Sequence, residues 1–237
     1  MSKVIAVIFA GGSGVRMGAE KPKQFLEVNG KPIIIHTLEV FDSHPLVDEI
    51  YIACKEDYIE KLEKLLRRFD INKVKSIVPG GSTGMDSIFR GLSVARDNSS
   101  DDSIVLFHDG VRPIVPDELV NEVIKTVKEK GNAVTCTPMF ETPVRSKGGE
   151  FVEETPMRSE CYTAQAPQGF RLGEVYEAHV IIRRDNPEYE GIVDNCTLMR
   201  KLARDVAIVT GPRSNIKVTT TEDLYILKAM IEYQETR

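Results

Sequence analysis

Lys3-Val4-Ile5-Ala6-Val7-Ile8-Phe9-Ala10-Gly11-Gly12-Ser13-Gly14-Val15-Arg16-Met17 is the stretch from which the rest of the chain is read. Lys3 to Phe9 is apolar and β-branched without alternation, the pattern of a parallel strand buried on both faces. Glycines follow at once. In an open parallel sheet, ligands bind beyond the carboxyl ends of the strands. There Gly11, Gly12 and Gly14 let backbone N–H groups approach phosphate oxygens. Arg16 and Lys23 add cationic donors. The stretch is neither a G-x-x-x-x-G-K-[ST] loop nor a G-x-G-x-x-G fingerprint. Its own residues indicate a phosphate or nucleotide, with a plain glycine turn as the alternative.

Outward from this strand, strand-like and helix-like segments alternate. Glu49–Ala53, Val74–Val78, Ser103–Phe107, Asn132–Thr137 and Val206–Thr210 read as strands. Ile59, Leu62, Leu65, Leu66 and Phe69 form one helical stripe, Met85, Ile88, Phe89 and Leu92 a second, and Leu119 to Val127 a third. Thr221 to Tyr233 reads as a closing helix, with Thr221 as N-cap and Glu222 and Asp223 in its first turn. This order predicts an α/β fold, a mostly parallel sheet with helices on both faces. Residues 138–163 break the rhythm. They contain Pro143, Pro156 and the turn Lys147-Gly148-Gly149-Glu150, and they read as a β-hairpin arm projecting from one domain that spans 1–237.

The apolar content of 41% supplies a sizeable core, and the net charge of −5 excludes a global basic field for nucleic acid. Phosphate binding must then come from basic residues at particular places. Cys54, Cys136, Cys161 and Cys196 form no C-x-x-C pair and read as reduced thiols. The first strand is too short to span a membrane and lacks a cleavage pattern, so a cytoplasmic protein with no membrane partner is expected.

Three more segments carry candidate chemistry. Pro79-Gly80-Gly81-Ser82, followed by Asp86 and Ser87, can bring backbone groups against a flat base edge, or can be a plain turn and helix cap. In Phe107-His108-Asp109-Gly110-Val111-Arg112-Pro113, Asp109 at the binding edge of the sheet can hold Mg²⁺ against triphosphate oxygens or pair with Arg112. His108 reads as a structural hydrogen-bonding residue. In Ser214-Asn215-Ile216-Lys217-Val218-Thr219-Thr220, Lys217 reads as a strand-end lysine that reaches phosphate or snorkels at the surface.

These segments, in this order and spacing, resemble the cytidylyltransferases that act on 2-C-methyl-D-erythritol 4-phosphate and ribitol 5-phosphate. The resemblance covers essentially the whole chain and is carried by AGGSGVRMG…KPKQF, FHDGVRP, YTAQAPQGF and SNIKVTTTEDL. It implies a Rossmann-like sheet, CTP as donor, a polyol phosphate as acceptor, Mg²⁺, and a homodimer formed through the arm. Carried over by position, Arg16, Lys23 and Lys217 would be the catalytic cations and Asp109 the metal ligand. Ala10, Gly11, Gly12, Ser13, Gly14, Gly81, Ser82, Ser87, Asp109 and Gly110 would hold the nucleotide. Thr142, Arg158 and Asp194 would hold the acceptor, Arg158 from across the dimer. Three positions depart from the family pattern. Gly84 stands where an arginine is usual, Ala166 replaces a threonine, and Val193 replaces a serine or threonine. The loop and the KPIIIHT run are closer to the ribitol branch.

Overall fold

The structure, a computed structural model, describes residues 2–11 and 21–236. Gly12, Ser13, Gly14 and Arg16 lie outside the described residues. The first strand, β1 (Val4–Ala10), is an interior strand of a seven-stranded sheet. Its neighbours are β4 (Glu49–Cys54) and β6 (Ile104–Asp109), both parallel to it. β5 (Val74–Pro79) closes one side, and β7 (Asn132–Pro138), β8 (Tyr162–Arg171) and β9 (Ile208–Thr210) extend the other. The order is β5-β4-β1-β6-β8-β7-β9. β8 alone runs antiparallel to its neighbours. A separate small ribbon pairs β2 (Glu27–Val28) with β3 (Lys31–Pro32).

The alternation of side chains along β1 builds two cores, one on each face of the sheet. Ala6 and Ile8 pack with α1 (Ile33–Ser43), α2 (Ile59–Arg68) and α4 (Asp117–Lys130). Ile5 and Val7 pack with α3 (Gly84–Asp97), α5 (Leu172–Asp185) and α6 (Asn195–Lys201). The expected helices on both faces are present. The closing helix α7 (Thr221–Glu235) docks Leu227 and Ile231 on Val28, Ile33, Val111 and Val218.

Some expectations are corrected. The cap of α7 is Thr220, not Thr221. Its hydroxyl accepts from the Asp223 N–H, and Asp223 accepts in return from the Thr220 N–H, a reciprocal arrangement that needs the acid three residues on. Lys217 does not stand at a strand end. It lies in an extended segment tied to the β6 loop by Val218 N–H donating to Val111 O at 2.9 Å. The arm between Pro138 and Tyr162 has a single antiparallel bridge, Arg145 to Glu154, and a 3-10 turn at Arg158–Glu160. Pro143 and Pro156 have no N–H to donate to a longer ladder.

Candidate active site

The carboxyl ends of β5, β4, β1 and β6 lie side by side, and each contributes a loop to one cleft. Register places Ala10 beside Cys54, Cys54 beside Pro79, and Phe9 beside Asp109. Two joined cavities result. The larger, about 450 Å³, is lined by Ala10, Gly11, Lys23, Gly81, Ser82 and Ser87, among others. The smaller, about 220 Å³, is lined by Arg112, Gln165, Ala166, Gln168, Asp194 and Asn195, among others. Phe9, Ile88, Asp109, Val193 and Lys217 line both. A hollow of about 810 Å³ between Ser2, Arg96, Arg171 and Tyr176 lies at the opposite, amino ends of the parallel strands. Its position makes it the weaker candidate despite its size.

The larger cavity is shaped by backbone crowding. A Cβ on Gly11 would lie 2.9 Å from Ser87 Oγ, and one on Gly81 would lie 2.0 Å from Asp86 Oδ2. Glycine at both positions lets the β1 and β5 loops approach α3. Ser87 accepts from Gly81 N–H at 2.9 Å and donates to Thr83 O at 2.9 Å. Thr83 caps α3 by accepting from Asp86 N–H. Asp86 is further held by Arg90 and Arg183. On the other wall, buried Gln24 donates to Ala10 O at 2.6 Å, fixing the turn that carries Lys23.

Asp109 stands where the cavities meet. Its Oδ1 lies 2.5 Å from Lys217 Nζ and its Oδ2 lies 3.2 Å from Arg112 Nε. Burial alone would raise the Asp109 pKa, but Lys217 and Arg112 outweigh it and hold the carboxyl below its ordinary range. Arg112 also donates to Asn215 O at 2.5 Å. Buried Asn215 in turn donates to Ala166 O at 2.7 Å, locking the Lys217 segment onto β8. His108 is fully buried and bonds Arg112 O at 2.9 Å; burial pulls its pKa down to about 4. It is structural, as its sequence context indicates.

In the smaller cavity Asp194 caps α6. Its Oδ1 accepts from Thr197 N–H and Oγ1 at 2.7 Å each, and its Oδ2 accepts from Gln168 Nε2 at 2.9 Å.

The structure therefore gathers Ala10, Gly11, Lys23, Gly81, Ser82, Ser87, Asp109, Asp194 and Lys217 in one cleft. Gly110 lies at the edge of this group. It sits behind Ala10, where a Cβ would meet Ala10 Cβ at 3.2 Å, and it lines neither cavity. Thr142 and Arg158 also line neither cavity of their own chain; both are exposed on the arm, where Arg158 donates to Phe140 O. Gln24, Gln168, Asn195 and Asn215 were not legible as site residues. Each is an amide that acts through contacts with segments remote in the chain, which spacing does not report.

The sequence and the fold both have counterparts among known proteins. A family model described as 2-C-methyl-D-erythritol 4-phosphate cytidylyltransferase matches residues 4–233. A ribitol-5-phosphate cytidylyltransferase of Vibrio parahaemolyticus is 45% identical, covering 98% of this chain and 97% of the relative. A 2-C-methyl-D-erythritol 4-phosphate cytidylyltransferase of Halalkalibacterium halodurans is 38% identical, covering 98% of each. The crystal structure of 4-diphosphocytidyl-2C-methyl-D-erythritol synthase from Anaerococcus prevotii superposes with a TM-score of 0.83 at 29% identity, covering 98% of this chain and 96% of that one. The chain is a nucleotidyltransferase and belongs to the 2-C-methyl-D-erythritol 4-phosphate cytidylyltransferase family.

Proposed function

We propose that this enzyme transfers CMP from CTP to ribitol 5-phosphate, releasing pyrophosphate. The observation that carries the reading is the pair of cavities meeting at Asp109 and Lys217, one walled by glycine backbone and Lys23, the other by polyol-sized polar groups. The greater identity to ribitol-5-phosphate cytidylyltransferases supports the choice of acceptor.

An acceptor phosphate oxygen attacks the α-phosphorus. The new O–P bond forms as the bond from the α-phosphorus to the bridging oxygen breaks, and pyrophosphate leaves with that electron pair. The acceptor phosphate is largely dianionic at neutral pH, since its second pKa is about 6, so no general base is needed. Lys23 and Lys217, with Arg16, offset charge on the phosphoryl oxygens and the leaving group.

Asp109 fits Mg²⁺ shared with triphosphate oxygens rather than caged by protein. Among the described residues no group of three or more His, Cys, Asp or Glu could hold a metal. One carboxylate plus substrate phosphates is an ordinary Mg²⁺ site. Lys217, about half-exposed on a flexible stem, can move from Asp109 to phosphate when the carboxylate is needed. Bound Mg²⁺ supplies charge neutralisation of the triphosphate.

Half of the large apolar side chains exposed among the described residues lie on the arm: Phe140, Val144, Phe151, Val152, Met157 and Tyr162. This supports a homodimer in which the arm of one protomer brings Thr142 and Arg158 to its partner's smaller cavity. No helix among the described residues is long and apolar enough to cross a membrane. A cytoplasmic location suits the water-soluble substrates.

The test is pyrophosphate release with each of the four NTPs against ribitol, methylerythritol, glycerol and xylulose phosphates. CTP with ribitol 5-phosphate should give the highest kcat/KM. A higher value for 2-C-methyl-D-erythritol 4-phosphate would overturn the acceptor assignment.

A further inference from the structure

The loop that walls the larger cavity is gripped by residues outside the cleft. Gly81 and Ser82 line that cavity, whereas Asp86 and Arg183 line neither cavity and face a separate hollow of about 390 Å³ with Pro79 and Phe89. A Cβ on Gly81 would run into the Asp86 side chain, 2.0 Å from Oδ2 and 2.5 Å from Cβ, so that side chain fills the space a larger residue at 81 would need. The Asp86 carboxylate also accepts from the Ser82 backbone N–H. Any shift of Asp86 therefore carries Gly81 and Ser82 with it.

Two arginines hold Asp86, and they differ in what they tie together. Arg90 Nε lies 3.2 Å from Oδ2, but it stands one turn along the same helix and moves with it. Arg183 Nη1 donates to Oδ1 at 2.9 Å from α5, 97 residues on in the chain. Its guanidinium lies over the Phe89 ring at 4.6 Å and the Tyr189 ring at 5.5 Å, and these two contacts set the plane of the donor fork. Burial would raise the Asp86 pKa, but Arg183, Arg90 and the Ser82 N–H outweigh it and hold the carboxyl below its ordinary range. The Arg183 bond is therefore charge-assisted at neutral pH. Tyr189 has anchors of its own. It is buried, its hydroxyl lies 2.6 Å from His179 Nδ1, and its carbonyl accepts from Ile192 N–H at 2.9 Å. The loop from Tyr189 to Asp194, on the proposed acceptor side, does not need Arg183 to keep its place.

We propose that Arg183 is a positioning residue for the nucleotide, which through Asp86 holds Gly81 and Ser82 where their backbone meets the edge of the base. This rests on the reading of the larger cavity as the CTP site. Cytosine and uracil differ along that edge in which atoms donate and which accept. A loop held in one place distinguishes them, and a loop free to shift does so less.

The test begins with Arg183→Met, of similar reach and without charge. Its KM for CTP should rise about 3–10-fold, the weight of one hydrogen bond no longer held in line, with the KM for the polyol phosphate unchanged. The preference for CTP over UTP, read as the ratio of their kcat/KM values, should fall by a similar factor, whereas a general loosening of the fold would lower both alike. Asp86→Ala should show the same changes. The double variant should be no worse than the poorer single one, since both residues act along one path. An unchanged CTP KM in Arg183→Met, an equal rise in the acceptor KM, an unaltered CTP-over-UTP ratio, or additive losses in the double variant overturns the proposal. If Arg183→Met does not fold, Asp86→Ala decides, and an unchanged CTP KM or CTP-over-UTP ratio there overturns it. A wild-type chain whose melting temperature does not rise with CTP and Mg²⁺ overturns the nucleotide reading and the proposal together. A wild-type chain that responds to CTP, beside an Arg183→Met that responds identically, overturns the proposal alone.

Discussion

Lys217 Nζ lies 2.5 Å from Asp109 Oδ1, and both residues line both cavities of the cleft. One ion pair therefore stands between the two cavities, the proposed nucleotide side and the proposed acceptor side. Before substrate arrives it neutralises a buried carboxylate; afterwards the same lysine can face phosphate.

Lys217→Met should remove a catalytic cation and unmask Asp109 burial. Asp109's folded pKa lies below its unfolded value of about 3.9, so its ionised form stabilises the fold above that value, and the stabilisation is lost as pH falls through the folded pKa. Without Lys217 that contribution shrinks. The melting-temperature gap between wild type and Lys217→Met should be widest near pH 7 and should narrow below about pH 4. A gap that does not depend on pH would contradict the role given to the pair.

Lys23→Ala should keep the fold and lower kcat by about 10²–10³, the usual loss for one transition-state-stabilising group. Lys23 lines the larger cavity at a turn already pinned by Gln24, so truncation leaves its backbone support intact. Circular dichroism and pyrophosphate release check the two halves of this statement. Wild-type kcat in the variant would remove Lys23 from the mechanism.

His108 and His179 are both held near pKa 4 by burial. An unfolded histidine titrates near 6.5, so the unfolded chain binds the extra protons between about pH 6.5 and 4. Stability should fall as pH drops through that window, by up to about 1.4 kcal/mol per pH unit for each histidine. Urea unfolding from pH 7.5 to 4.5 measures the slope. His179→Gln should make it shallower, and an unchanged slope would show that His179 is not the group responsible.

Gly84 opens α3 beside the larger cavity, and a Cβ there would meet no atom within 4 Å. The Cβ of a Gly84→Arg side chain therefore displaces nothing, and the chain starts from the rim of the larger cavity. It should tighten CTP binding, seen as a larger melting-temperature rise with Mg²⁺ and CTP. The free protein should lose about 0.3–1 kcal/mol, because a cation at a helix N-terminus opposes the helix dipole. A variant whose CTP affinity does not change would show that the missing arginine plays no part in nucleotide binding here.

Phe151 is 78% exposed and Met157 65% exposed on the arm. The double variant Phe151→Ser, Met157→Ser should sediment as a monomer if the arm is the dimer contact. Its acceptor KM should then rise more than its CTP KM, since Thr142 and Arg158 would no longer reach a partner's cavity. A dimeric double variant with wild-type kinetics would refute the arm's role.

The fold was legible wherever burial left a periodic trace. β1, α2, α3 and α4 show their stripes plainly, because each faces the sheet with one side only. α5 and α6 were not singled out. Polar His179 and Asn195 occupy buried positions there, which blurs the apolar stripe. β8 was recognisable as a motif, YTAQAPQGF, but not as an antiparallel strand, since strand direction is set by partners 60 or so residues away.

For the site, residue type and spacing were enough to name the glycine turn, Lys23, Asp109 and Lys217, because cations, acids and glycines at strand ends each carry a local physical reason to be there. Their convergence was not. That Ala10, Gly81, Asp109 and Lys217 face one cleft depends on parallel register and on Val218 pairing with Val111. That Gly110 backs the cleft instead of lining it depends on how closely β1 and β6 pack. The chemistry of a side chain is a property of its residue, so it can be read along the chain; which neighbours compete for its hydrogen bonds is a property of the packed molecule, and Asn195 Nδ2, buried without a partner, exists as a feature only there.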